Sequence, residues 1–349
     1  MLHKITAIKN PNECEGYVPC MLDKAKTHQI DFFLPDKKMI DPGDDLACSL
    51  IPAPSSTPGP SQSKSPNDTE HAKIVLEELD RTKPLIIIAH GHRSWRNQLL
   101  LCKFASEISS SLDCHTLRFD FTACGHSKYD NPGGFDCGYG PGADKHKWLY
   151  SNFEEDYKDL CRVIDFVQED LNIHVSCMIA HSQGSAAMFR YAADHDNDDA
   201  DADANTNAGP LYVNLSGAYY GHTEHKYVDF FSDVFTDRKR REFEVKGRVI
   251  TEVKGGRKLE LKTKDVERRD TFDMHSTIEK IQNAKVLTIH GEKDPLHPVA
   301  NAHRFDEVLP KENHTMEIIP GANHTYNGFK YAKTMMAKIE EFVRSNTSD

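Results

Sequence analysis

Apolar and polar residues fall in blocks along this chain, and the length and period of each block separate strand from helix. A short apolar run between turn signals reads as a buried strand, whereas apolar residues spaced three and four apart read as one helix face. On this basis residues 84–89 (PLIIIA), 116–121, 175–180, 212–216, 285–290 and 315–319 are expected to be strands. Residues 98–112, 153–171, 183–193, 299–308 and 329–344 are expected to be helices. Strands that alternate with helices pair in parallel through crossovers, with both sheet faces covered. The expected fold class is α/β, with a mostly parallel sheet. Near the start, the apolar runs 30–35 and 46–51 are separated by charged turns and suit antiparallel strands entering that sheet.

Three segments interrupt the alternation. "PAPSSTPGPSQSKSPNDTE" has too few apolar residues to order itself, so a mobile loop is expected at about residues 52–72. "DHDNDDADADANTNAGP", residues 194–210, reads as a solvated connection. It resembles a calcium loop only superficially, because the sharp-turn glycine is missing and Asn205 stands where a closing glutamate belongs. Residues 217–282 carry Tyr219, Tyr220, Tyr227, Phe230, Phe231 and Phe235, then a hairpin-like stretch around Gly255-Gly256. An insertion of that size after a central strand is expected to be a cap, with residues 1–216 and 283–349 forming the core. Within it, "DRKRREFEVKGR" mixes acids with its bases and reads as a solvated helix rather than a localisation signal.

Composition narrows the partners. The 349 residues can bury a sizeable core, and a net charge of −11 argues against nucleic acid or an anionic membrane surface, both of which reward a basic protein. No stretch approaches the ~20 apolar residues of a membrane span, so stable membrane insertion is not expected. The nine cysteines are odd in number and lack metal-like pairing, which suits reduced thiols and a cytoplasmic location. Oligomeric state is not legible at this level.

The chemistry centres on "SCMIAHSQGSAAMFRYAA", an apolar run, a corner and a helix-like stretch. A serine hydroxyl is a weak nucleophile unless a base lies within hydrogen-bond reach and a third group orients that base. Ser182 sits where a strand-turn-helix elbow exposes its hydroxyl, and the small residues Ala180 and Gly184 suit the tight backbone. Asp294 and His324 each follow a later strand, in the chain order Ser, Asp, His. Two backbone N–H donors are needed for the oxyanion. Gln183 supplies one, and the turn at His90 and Gly91 aims the N–H of His92 as the other.

Other polar residues take plainer readings. Asp120 is expected to be a buried carboxylate holding neighbouring loops. His290 lies at a strand end, and His297 follows Pro295 in a flexible-looking loop. His90 with His92, and His222 with His225, lack a third ligand at metal spacing, so no metal is expected. Cys124 and Cys137 have no paired base and read as ordinary thiols. Tyr219 and Tyr220 are candidates for a substrate pocket, in a mixed role with packing.

Taken together, "IIIAHGHRS", "LRFDFTACGHS", "IAHSQGSAA", "VNLSGAYY", "VLTIHGEKDPLHP" and "IIPGANHTY" resemble the α/β-hydrolase superfamily. The likeness is strongest to its serine-aminopeptidase-like branch, which includes cinnamoyl and feruloyl esterases, and it runs from about residue 84 to 343 apart from the acidic loop. The resemblance implies an α/β-hydrolase fold with a substrate-facing cap, a triad of Ser182, Asp294 and His324, and an oxyanion hole from His92 and Gln183. It implies hydrolysis of a small-molecule carboxylic ester without a cofactor. The same parts serve a thioesterase, amidase or peptidase, and a non-hydrolytic binding protein on this fold is the alternative from another class.

Overall fold

A computed structural model describes residues 2–8, 29–35, 45–56, 69–92, 94–122, 124–127, 147–148, 153–196, 209–219, 237–253, 257–263 and 272–347. In chain order the strands are β1 (Thr6–Ala7), β2 (Ile30–Leu34), β3 (Leu46–Ile51), β4 (Leu85–Ala89), β5 (His115–Phe119) and β6 (Lys147–Trp148). They continue with β7 (Val175–His181), β8 (Leu211–Leu215), β9 (Arg248–Val253), β10 (Arg257–Lys262), β11 (Val286–Gly291) and β12 (His314–Ile319). The α-helices are α1 (Thr69–Glu77), α2 (Leu99–Leu112), α3 (Phe153–Asp165), α4 (Gly184–His195), α5 (Asp237–Lys246), α6 (Met274–Ile278), α7 (Ala300–Val308) and α8 (Phe329–Asn346).

Nine of these strands form one sheet in the order β1-β2-β3-β5-β4-β7-β8-β11-β12. Pairing is antiparallel from β1 to β5 through β2 and β3, and parallel from β5 to β12. The early apolar runs are thus the antiparallel entry, and the strand-helix alternation is the parallel part.

The run PLIIIA explains why β4 is central. Leu85, Ile87 and Ala89 pack into the core on one face with α3 and α4, while Ile86 and Ile88 pack into the core on the other with α2 and α8. Successive side chains of a strand point to opposite faces, so an unbroken apolar run is stable only where both faces are covered. Each fully buried isoleucine contributes roughly 1.5–3 kcal/mol, which disfavours an edge position for this strand.

The structure departs from the pattern in two places. The helix expected over residues 153–171 is α-helical to Asp165 and continues as a π-helical turn, Phe166–Asp170, in which Leu171 N–H donates to Phe166 O at 3.0 Å. Phe166 and Val167 are buried, so packing rather than hydrogen-bond period decides that turn. The loop expected to reach residue 72 ends earlier, because α1 begins at Thr69 and buries Ala72, Val75 and Leu76. Residues 57–68 of that loop and 197–208 of the acidic segment lie outside the described residues.

The hairpin-like stretch forms β9 and β10, paired antiparallel with Val253 opposite Arg257. β6 adds to it in parallel, Lys147 opposite Lys258 and Trp148 opposite Leu259, making a second, three-stranded sheet. The segment after β5 therefore reaches the insertion. Met274, Ile278 and Ile281, at the far end of that insertion, are fully buried in the core that holds α4. "DRKRREFEVKGR" supplies α5, of which Phe243 is buried while Val245 is exposed. Among the described residues no helix is long and apolar enough to cross a membrane.

Candidate active site

β7 ends at His181, and α4 begins at Gly184, so the chain reverses within Ser182 and Gln183. Ser182 has φ of +54°, a left-handed conformation that costs a residue with a side chain on the order of 1–3 kcal/mol. Neighbouring bonds hold it there. Its N–H donates to Leu215 O of β8 at 2.8 Å, and its C=O accepts from Ser185 N–H at 3.1 Å.

Two glycines let the β4 loop approach this elbow. A Cβ on Gly184 would stand 2.6 Å from His90 O, and one on Gly91 would stand 2.8 Å from Ser182 Cβ. Ala180 is fully buried, which satisfies the need for a small residue without glycine. His90 is locked by both ring nitrogens: Nδ1 donates to Gly91 O at 2.7 Å, and Nε2 accepts from Phe121 N–H at 3.1 Å. Neither is left for a metal. His92 is the next residue beyond Gly91 and is half-buried. Gln183 is held through its side chain, whose Nε2 donates to Asp156 Oδ2 of α3 at 2.5 Å. Its backbone N–H stands at the start of α4, where helix donors lack intrahelical partners.

Asp294 and His324 meet as their contexts suggested. The Asp294 Oδ2 accepts from His324 Nδ1 at 2.7 Å. A carboxylate only accepts, so the proton is on Nδ1, and in the neutral ring Nε2 is a bare acceptor. Burial pushes the Asp294 carboxyl up, but the His324 hydrogen bond and charge, with two backbone N–H groups, outweigh it and hold the carboxyl below its ordinary value.

The same carboxylate organises a second histidine. Its Oδ1 accepts the N–H groups of Leu296 at 2.8 Å and His297 at 2.9 Å. The C=O of His297 accepts from His290 Nε2 at 2.8 Å. His297 is only 5% exposed, so the loop read as flexible is pinned on both sides. Its Nε2 lies 3.4 Å from Ser182 Oγ. Among the described residues, Ser182 Oγ hydrogen-bonds His297 rather than His324, a departure from the sequence reading. A serine hydroxyl has three staggered positions, and catalytic hydrogen bonds often align only in the complex with substrate.

The His324 ring is flanked by two others. His297 meets it edge-on and His181 at a tilt, both with ring centroids 4.9 Å away. His181 Nε2 donates to His324 O at 2.9 Å. Burial, followed by the charge of His324, pushes both flanking imidazoles down to about 3. The sequence reading did not single out His181 or Asp156. The one local signal for His297 was its place three residues after an aspartate, where an Asx turn bonds the backbone.

Asp120 has the structural role expected of it. It is fully buried, is paired with the Arg96 guanidinium, and accepts Arg96 N–H at 2.5 Å and His126 N–H at 2.8 Å. Tyr219 is half-buried and tied to the helices that follow, its N–H donating to Asn301 Oδ1 at 2.8 Å and its hydroxyl bonded to His275 Nδ1 at 2.5 Å. Tyr220, His222, His225 and Cys137 lie outside the described residues.

No family model matches the chain, and no curated protein matches it in sequence. Solved structures do match. Est1E from Butyrivibrio proteoclasticus, with ferulic acid bound, is 16% identical, with a TM-score of 0.57 over 86% of this chain and 95% of its own. A soluble variant of monoglyceride lipase from Saccharomyces cerevisiae, in complex with a substrate analogue, is 12% identical, with a TM-score of 0.58 over 90% and 97%. Mouse alpha/beta hydrolase domain-containing protein 10 is 13% identical, with a TM-score of 0.57 over 91% and 98%. At these identities the likeness concerns architecture, and together with the strand order it shows that this chain has the α/β-hydrolase fold.

Proposed function

We propose that the protein is a serine hydrolase that cleaves a small-molecule carboxylic ester through an acyl-enzyme. The observation that carries this reading is the 2.7 Å bond from His324 Nδ1 to Asp294 Oδ2, beside a serine held at φ +54° on a strand-to-helix elbow. Ser182 Oγ attacks the ester carbonyl, forming the Oγ–C bond, while His324 Nε2 takes the hydroxyl proton. Asp294 keeps the imidazole in the tautomer this requires and stabilises the imidazolium. The N–H groups of His92 and Gln183 hold the charge that develops on the carbonyl oxygen. Collapse breaks the bond to the alcohol, which leaves with the proton from His324. Water then repeats the sequence and frees the acid. No cofactor enters these steps.

Ester rather than peptide chemistry is supported by the neighbours, since the Est1E structure holds ferulic acid and another is a monoglyceride lipase. Residues 217–282 form the cap in this reading, and Tyr219 is a candidate for the substrate pocket. The charge and the absence of an apolar span in the sequence fit a cytoplasmic enzyme acting on a soluble ester.

Labelling with a fluorophosphonate probe tests the reading. The adduct is expected on Ser182, located by peptide mass spectrometry, with turnover of p-nitrophenyl esters exceeding that of matched thioesters and anilides. Folded protein that takes no label at Ser182 would overturn it.

A further inference from the structure

In the proposed mechanism the oxyanion takes its two N–H donors from separate loops, His92 from the one after β4 and Gln183 from the start of α4. A helix-terminal N–H has no intrahelical acceptor to fix its direction. The peptide carrying the Gln183 N–H also follows Ser182, whose φ of +54° is a strained conformation that persists only where its surroundings hold it. The aim of this donor therefore depends on contacts outside the helix ladder.

Two contacts grip that part of the chain. The Ser182 C=O accepts from Ser185 N–H at 3.1 Å, and the Gln183 side chain donates through Nε2 to Asp156 Oδ2 at 2.5 Å. Asp156 and Gln183 are both buried, and Asp156 stands in the first turn of α3, where the helix dipole favours a carboxylate. The same helix, which packs against α4, also reaches the other donor loop. One turn on from Asp156, the buried Asp159 accepts Thr122 N–H at 2.6 Å and the Thr122 hydroxyl at 3.0 Å. The neighbouring Phe121 N–H donates to His90 Nε2, and the same ring bonds the C=O of Gly91, the residue before His92. Both donor loops are thus tied to α3, and Asp156 is its tie to the donor beside the nucleophile.

We propose that Asp156 is a positioning residue for the oxyanion hole: through the Gln183 side chain it fixes the direction of the Gln183 N–H. The proposal rests on Ser182 being the nucleophile. Asp156 touches neither substrate nor the reacting atoms in this scheme, and it transfers no proton. Charge on the carbonyl oxygen is small in the bound ester and large in the tetrahedral intermediate, so a misaimed donor lowers kcat and leaves KM nearly unchanged.

The test measures kcat and KM for p-nitrophenyl butyrate and the Ki of 1,1,1-trifluorohexan-2-one, a ketone that adds to a catalytic serine and places an oxyanion in the hole. Asp156→Leu is expected to lower kcat by ~10- to 100-fold, below the ~10²–10³ lost when a donor is deleted outright, and to weaken the ketone by a similar factor. Asp156→Asn keeps an oxygen that accepts from Gln183 Nε2 and should retain most of the wild-type kcat. Gln183→Met keeps the backbone N–H but loses the tie, so it should match Asp156→Leu, and the double variant should be no worse than either. Unchanged kcat and Ki in folded Asp156→Leu overturn the assignment. So do a loss confined to KM, losses that multiply in the double variant, or an Asp156→Asn no better than Asp156→Leu. Should Asp156→Leu not fold, Asp156→Asn and Gln183→Met decide: kcat kept in the first and lost in the second is expected, and any other result overturns the assignment. Wild type that labels at Ser182 while Asp156→Leu keeps its kcat loses only the role of Asp156, whereas failure to label removes the hydrolase reading itself.

Discussion

Asp294 holds His324 and His297 through different oxygens, Oδ2 to the ring of His324 at 2.7 Å and Oδ1 to the backbone N–H of His297 at 2.9 Å. One carboxylate thereby sets the tautomer of one histidine and the position of another. The turn Asp-Pro-Leu-His makes this possible, because an aspartate side chain readily accepts the N–H groups two and three residues on.

Asp294→Asn separates these two tasks. The amide oxygen can still accept from Leu296 and His297, so the turn is expected to persist, while the amide NH₂ facing His324 favours the tautomer with its proton on Nε2. Turnover should fall by roughly 10⁴, as the wrong tautomer does in serine proteases. Steady-state kinetics with a p-nitrophenyl ester measure it, and a merely two-fold loss would place the acid elsewhere.

Ser182→Ala removes the nucleophile and leaves the elbow bonds to Leu215 and Ser185 in place. Activity should drop by on the order of 10⁶, the scale seen when a triad serine is deleted. Circular dichroism should be unchanged. Activity near that of wild type would show that another residue attacks.

Asp120→Ala removes the nearer of two buried carboxylates from the Arg96 guanidinium, leaving Asp31 at 3.8 Å. Breaking one side of a buried pair costs roughly 3–5 kcal/mol. Urea unfolding should report a loss of that size, and a change below about 1 kcal/mol would contradict the structural role given to this residue.

His181 makes stability depend on pH. Its folded pKa lies at about 3, below the ordinary 6.5, so in the window between these values the unfolded chain binds the extra proton. Its contribution is complete above about 6.5 and is lost as pH falls toward about 3. Between pH 7.5 and 5.5 the unfolding free energy of wild type should fall by about 1 kcal/mol more than that of His181→Gln. The difference between the two proteins cancels the other titrating groups. Equal falls in both would show that His181 is not held neutral by burial.

Much of the fold was legible in blocks. PLIIIA announced a strand covered on both faces, and its alternate residues do pack into different cores. The π-helical turn at Phe166–Asp170 was not legible, because a helix-period pattern does not distinguish the two hydrogen-bond registers. The pairing of β6 with β10 was also hidden, since two residues in a long segment carry no periodicity. At the site, the strand-end contexts of Ser182, Asp294 and His324 were local and readable. His297 was not, because a histidine after proline looks like any exposed loop residue until a distant serine is placed against it.

The sequence by itself determined the elements and the inventory of chemistry: which runs are strands, where the elbow turns, and which serine, aspartate and histidine follow strand ends. These are local properties, set by side-chain period, turn residues and chain order. Only the tertiary structure decided that Ser182 Oγ sits against His297, that Gln183 is anchored by Asp156, and that the imidazoles of His181 and His297 flank that of His324. Such contacts join residues far apart in the chain, and they depend on the packing of β7, β11 and β12 loops onto one another, which no local pattern encodes.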